Sequence, residues 1–130
     1  GPDYRKVLEH HGVAHVYNHW SYMPLLRDQY QRMEEHFTPP FTVLRLLTQL
    51  KMSYEAAKKR AEPYTKIVEE LQEMRRNTME LVKKAVGENH RMYLLVNNHN
   101  EGSAPLTIQA LRNELQTARR EPCLFPLAFS

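Results

Sequence analysis

The feature that most constrains the fold is one long amphipathic segment, Tyr64 to Val86, which ends at Gly87. Its apolar residues recur with a period of about 3.6 residues, the spacing of one face of an α-helix. They are Tyr64, Ile67, Val68, Leu71, Met74, Leu81, Val82 and Ala85. Arg75 and Thr78 lie close to this apolar stripe and interrupt it. The pattern predicts a helix of about six turns, longer than an average helix.

Helix signals also mark the first third of the chain. Asp3 can cap a short helix that Gly12 ends. Ser21 precedes a second helix with a proline in its first turn. Residues 38–40 (Thr-Pro-Pro) stop that helix, because a residue that precedes proline avoids the helical backbone conformation.

Capping residues predict further helices downstream. Thr42 precedes a nearly all-apolar stretch that runs to Leu50, and a helix so apolar is expected in the centre of the core. Ser53 begins another helix, and either Ser103 or Thr107 caps the last one. Each of these residue types can accept a hydrogen bond from the first turn of the helix that follows it.

We therefore predict an all-α domain, an irregular bundle of about five helices. Two segments leave alternatives open. Val13 to Trp20 fits a strand or a helix, and Met92 to Val96 fits a short strand or a buried helix. The main alternative feature is a minor β-hairpin near the C-terminus, formed by residues 92–96 and the tail.

Composition indicates a single domain. The chain has 130 residues, a formal net charge of +3 and 42% hydrophobic residues, as in ordinary globular domains. Residues 1–2 are typical of the remnant of a cleaved tag, residues 3–121 are predicted to form the helical domain, and residues 122–130 form an apolar segment. No apolar run is long enough to span a membrane. The single cysteine excludes an internal disulfide and, with no signal peptide in view, favours the cytoplasm or nucleus.

Catalytic and metal-binding patterns are weak. His11, His15 and His19 would share one face of a helix, but Gly12 interrupts the segment and no cysteine or carboxylate completes a zinc site. Cys123 lies in an apolar, proline-flanked segment, which disfavours the reactive thiolate. Phosphate-binding glycine loops and nucleophile motifs are absent from the sequence. We expect no enzyme activity, no metal, no cofactor and no small-molecule substrate.

Basic residues are concentrated between positions 51 and 91, which carry the whole excess of positive charge. The densest points are Lys58, Lys59, Arg60, Arg75, Arg76, Lys83 and Lys84. A nucleic-acid-binding helical domain would use such residues to contact phosphates. Acidic residues interspersed among them are more typical of a solvated helix face. Nucleic-acid binding is therefore the alternative function.

The apolar tail, residues 122–130, is the basis of the leading hypothesis for the function. Its candidate contact residues are Leu124, Phe125, Leu127 and Phe129. Monomeric proteins avoid exposing such a patch, so the tail is expected to pack on the domain itself or on another chain. The sequence thus favours a protein–protein interaction domain from a larger assembly protein, with another protein chain or a second copy of itself as partner.

Overall fold

The computed structural model describes residues 2–38 and 40–120 of the chain. Helices alternate with strands along most of this part of the chain. In order, the elements are α1 (Pro2–His11), β1 (Val16–His19), α2 (Leu26–Arg32), β2 (Thr42–Leu46), α3 (Tyr54–Ala61), α4 (Gln72–Gly87), β3 (Met92–Val96), α5 (Asn98–Glu101) and α6 (Ala104–Arg120).

The three strands form one parallel sheet in the order β1-β2-β3. In the register, Val16 lies beside Val43, and Val43 lies beside Tyr93. Because neighbouring strands are parallel, the chain must return to the same end of the sheet before each new strand, so each connection is a crossover. Crossovers of this type are right-handed, which brings the connecting helices to the same face of the sheet.

The prediction of an all-α bundle is wrong, because a parallel sheet forms the centre of the fold. The segment from Thr42 to Leu50, predicted to be a central helix, contains strand β2 instead. Its buried residues Thr42, Leu44 and Leu46 alternate with more exposed ones, which is the period of a strand. Leucine-rich runs fit both periods when they are short, so the sequence pattern alone did not separate the two structures.

The two ambiguous segments are also strands. The segment from Val13 to Trp20 contains β1, and residues 92–96 form β3. β3 pairs with β2 in parallel, whereas a hairpin would require an antiparallel neighbour. The tail that was to supply the second hairpin strand lies outside the described residues.

Several helix boundaries agree with the sequence signals. Gly12 follows α1 with a φ of 65°, a conformation that glycine adopts without strain. Ser53 caps α3, its side chain accepting a hydrogen bond from the backbone N–H of Ala56 at 3.2 Å. The helix predicted from Tyr64 begins only at Gln72, because the preceding backbone is bound elsewhere. The N–H groups of Val68 and Leu71 donate to the backbone and side-chain oxygens of Glu101.

Helices α2, α4 and α6 cover one face of the sheet. The core contains Tyr17 and Leu44 from the strands together with Leu26, Met74 and Leu111 from these helices. The prediction that Arg75 and Thr78 interrupt an apolar stripe has a structural explanation, since both side chains are buried. The opposite face of the sheet has no described helix against it.

Candidate functional site

One face of the three-stranded sheet has no helix of the described chain packed against it. We call it the open sheet face and define it by two residues from each strand. These residues are Val16, Asn18, Val43, Arg45, Tyr93 and Leu95. They alternate with the core-facing residues because successive side chains of a strand point to opposite faces. Parallel sheets are almost always covered on both faces, so an open face of this kind is unusual.

One row of the open sheet face is apolar throughout. Val16, Val43 and Tyr93 lie side by side across the three strands. Phe41, just before β2, packs its ring edge-to-face against Tyr93 with centroids 5.4 Å apart. Tyr93 is 47% exposed and Leu95, two residues further along β3, is 54% exposed. Covering large apolar side chains of this kind contributes about 1.5–3 kcal/mol each.

The second row carries the only charge of the open sheet face. It consists of Asn18, Arg45 and Leu95. Arg45 lies on the central strand, and its Nη1 donates to Asn18 Oδ1 at 3.3 Å. None of the six residues is acidic. A surface that covers this face must therefore leave Arg45 in water or provide it with an acceptor, because an unpaired buried charge is costly.

This surface could not be predicted while the segment that forms β2 was expected to be a helix. The signal that could have revealed it is the recurrence of short apolar runs between helical segments. Residues 42–46 and 92–96 are such runs, and the helical patterns of α3 and α4 separate them. Strands that alternate with helices are typical of parallel sheets. Their exposed positions would then have followed from the two-residue period.

The seven basic residues of the nucleic-acid hypothesis lie on two helices rather than on one. Lys58, Lys59 and Arg60 are on α3, and the other four are on α4. Arg60 is bound internally, donating to Gln49 Oε1 at 2.6 Å and to the backbone oxygen of Asn100 at 2.9 Å.

Two adjacent arginines on α4 have different environments. Arg75 is buried in an ion pair with Glu101, whereas Arg76 is exposed. Further along the helix, the Lys84 ammonium lies 5.2 Å from the centre of the Tyr30 ring. Arg60, Arg75 and Lys84 are thus engaged within the domain, which reduces the basic surface offered to phosphates.

The three histidines predicted to share a helix face are spread over two elements and a connection. His11 ends α1, His15 precedes β1 and His19 ends β1. Among the described residues, no group of three or more His, Cys, Asp or Glu side chains is placed to hold a metal ion. Burial lowers the pKa of His15 and of His19 below the ordinary value of 6.5, because the charged imidazolium is disfavoured away from water.

This burial predicts that the fold weakens in mild acid. The pKa of His90 is also lowered by burial. In the unfolded chain these three histidines regain the ordinary pKa, so the unfolded state binds more protons as the pH falls through about 6.5. The free energy of unfolding is therefore expected to have its highest value above that pH and to decrease below it. Urea unfolding at about pH 7.5 and about pH 5.5 measures the difference.

The matched variants for this prediction are His19→Gln and His36→Gln, which remove a buried and an exposed histidine respectively. The first should reduce the dependence on pH and the second should leave it unchanged. Equal stability at both pH values in the unmodified chain would contradict the prediction.

The tail residues Leu124, Phe125, Leu127 and Phe129 lie outside the described residues, as does Cys123. The hypothesis that the tail is a contact surface therefore stays a prediction. Within residues 2–38 and 40–120, no helix combines the length and the apolar composition needed to cross a membrane.

The architecture and the open sheet face define an α/β protein in which strands and helices alternate around a parallel sheet covered on one face. Residues 1–127 match the family model described as "Protein of unknown function DUF72", and the chain belongs to that family. Neither the search of curated proteins nor the search of solved structures gives a match.

Proposed function

We propose that the chain is a protein–protein association module whose contact surface is the open sheet face. The observation that carries the proposal is the apolar surface formed by the exposed Tyr93 and Leu95 beside the partly exposed Val16 and Val43. It lies on a parallel sheet whose other face is covered by helices. Such a sheet reaches its usual state, buried on both faces, when another polypeptide surface covers it.

Arg45 sets the chemistry of the partner. Because it lies at the centre of the sheet and no acidic residue shares the face, the best partner presents apolar side chains around one carboxylate. A guanidinium and a carboxylate can then form two parallel hydrogen bonds as water is excluded. A second copy of the chain supplies the same apolar residues but brings another Arg45. We therefore expect self-association through this face to be weaker than binding of the preferred partner, but measurable, and to strengthen as salt screens the two arginines.

Nucleic-acid binding has less support as a function, because Arg60 and Arg75 are engaged in internal contacts. The proposed association involves no catalytic step. The single cysteine of the sequence supports action in a reducing compartment, the cytoplasm or the nucleus.

Removing apolar side chains from the open sheet face is expected to reduce its surface hydrophobicity without unfolding the domain. The combined change Tyr93→Ser and Leu95→Ser takes two large side chains off the face while leaving the core intact. Fluorescence of an anilinonaphthalene sulfonate dye, which binds exposed apolar surface, should fall by about half or more. The midpoint of thermal unfolding should change by no more than about 4 °C, because neither side chain is buried.

Tyr22→Ser is the matched control, since Tyr22 is exposed but lies outside the sheet. It should leave dye binding on the sheet unchanged. If the double change on β3 instead lowers the unfolding midpoint steeply, these side chains are already part of a core and the proposal fails.

A further inference from the structure

The dimensions of the open sheet face indicate which kind of element can cover it. Neighbouring strands of a sheet lie about 4.8 Å apart, so the backbones of β1 and β3 are about 10 Å apart across β2. The two rows of side chains are separated by two residues along each strand, which corresponds to about 6.6 Å. The face is therefore about as wide as one α-helix, whose diameter with side chains is about 10–12 Å.

The side chains of the open sheet face differ in size from one strand to the next. Val16 on β1 and Val43 on β2 are small and only partly exposed. On β3, Tyr93 and Leu95 are larger and about half exposed. The ring of Phe41 packs against Tyr93 with centroids 5.4 Å apart, which supports this larger side chain next to the valines. A cylindrical element can therefore rest on the valines with one side against β3.

The covered face of the same sheet shows which elements pack on these three strands. Tyr17 and Leu44 point to that face and share one core with Leu26 of α2, Met74 of α4 and Leu111 of α6. The described elements that cover it are thus all helices. Parallel sheets in general are covered by helices on both faces, whereas stacked sheets are typical of antiparallel strands. A helix is accordingly the element that best suits the open sheet face as well.

Arg45 determines which polar group such a helix must carry. Its Nη1 donates to Asn18 Oδ1 at 3.3 Å, which orients the guanidinium toward β1. Within residues 2–38 and 40–120, no carboxylate forms an ion pair with Arg45. The remaining N–H groups of a guanidinium can donate two parallel hydrogen bonds to one carboxylate. The charge of Arg45 is thus complementary to a single acidic residue of the partner.

The spacing of the two rows fits successive turns of a helix. Side chains three or four residues apart on one helix face lie about 5–6 Å from each other. Apolar side chains of one turn can therefore contact Val43 and Tyr93 while an acidic side chain of the next turn reaches Arg45. A helix with an uninterrupted apolar stripe would instead bury the guanidinium without an acceptor, which is costly.

We propose that the partner covers the open sheet face with one amphipathic α-helix whose apolar stripe contains a single aspartate or glutamate, and that this carboxylate binds Arg45. The inference rests on the proposed association function and specifies the structure and the charge of the partner's contact segment. An amphipathic helix that lays its apolar face against an apolar surface is a recurrent mode of protein recognition.

The test is a titration of the whole ¹⁵N-labelled chain with a helical peptide of about 18 residues, whose stripe of leucines contains one central glutamate. Backbone signals of residues 16, 18, 43, 45, 93 and 95 should shift and saturate, with a Kd of about 100 μM. Replacing the glutamate by glutamine should weaken binding about tenfold, because the charged partner of Arg45 is lost. A peptide of the same composition in which apolar and polar residues alternate, which favours a strand, should give no saturable shift.

Reversing the charge of Arg45 tests its contact with the peptide directly. Arg45→Glu should weaken binding of the glutamate peptide by about tenfold or more, and it should restore binding of a peptide with lysine in place of the glutamate. Arg76→Glu is the matched control, since Arg76 is an exposed arginine on α4, away from the open sheet face. It should leave the affinity for each peptide unchanged. Recovery with the lysine peptide cannot result from a damaged fold, and the unfolding midpoints of both variants verify that the fold is retained.

Three results would overturn the inference. The alternating peptide could bind as tightly as the helical one, which would remove the role of the helix. The glutamine peptide could bind as tightly as the glutamate peptide, which would remove the role of the carboxylate. The combined change Tyr93→Ser and Leu95→Ser could leave peptide binding intact, which would place it elsewhere on the chain. The proposed function fails separately, because it depends on the dye binding and self-association of the β3 variant, which involve no peptide.

Discussion

Replacing Arg75 by methionine is expected to lower the free energy of unfolding by about 3–5 kcal/mol, the usual cost of breaking a buried ion pair. Its partner Glu101 is fully buried and accepts two parallel hydrogen bonds from Arg75, from Nε at 2.9 Å and from Nη2 at 2.8 Å. The same carboxylate also accepts from the Leu71 N–H and the Thr107 hydroxyl, both at 2.7 Å. Without the arginine, a negative charge remains in the core with two neutral donors only.

The neighbouring residue provides the control. Arg76→Met removes the same charge from an exposed position of the same helix and should change stability by less than about 0.5 kcal/mol. The double change Arg75→Met and Glu101→Leu should recover part of the loss, since it leaves no unpaired charge. Urea unfolding measures all three variants. Equal effects of Arg75→Met and Arg76→Met would show that Arg75 is not buried against Glu101.

Leu44→Ala is expected to lower the free energy of unfolding by about 2–5 kcal/mol, as cavity-forming changes in cores do. Leu44 lies in the middle of the central strand and is 0% exposed. It packs between the sheet and the covering helices, so its loss leaves a space that the surrounding side chains cannot all fill.

Comparison with the adjacent residue Val43 tests whether only one face of the sheet is covered. Val43→Ala acts on the open sheet face and should cost about 1 kcal/mol or less, because Val43 is only partly buried. The large difference between consecutive residues is specific to a strand with one covered face. Similar losses at both positions would mean that both faces of β2 are buried within this chain.

Local signals in the sequence predicted several helix ends correctly. The cap at Ser53 and the end of α1 at Gly12 depend on hydrogen bonds and backbone angles within a few residues. Strand β2 was assigned wrongly because its stability comes from β1 and β3, which are far away in sequence. Parallel pairing of this kind leaves little trace in the strand itself beyond a short apolar run.

The buried ion pair could not be predicted from the sequence for the same reason. Arg75 stood out in the sequence as an interruption of an apolar stripe, but nothing local indicated that its partner is Glu101. The two residues meet because α4 and the segment after β3 both reach the carboxyl edge of the sheet. Their contact also explains why the helix begins at Gln72, since Glu101 binds the backbone that precedes it.

The most direct test of the association module is the solution mass of the chain by light scattering at about 150 and about 500 mM NaCl. We expect association beyond the 15.4 kDa monomer that becomes stronger at high salt, because salt screens the repulsion between the two Arg45 residues and favours apolar contact. The variant Tyr93→Ser with Leu95→Ser should remain a monomer under both conditions. A chain that is monomeric at every concentration and salt, or an association that the β3 changes leave intact, would contradict the account.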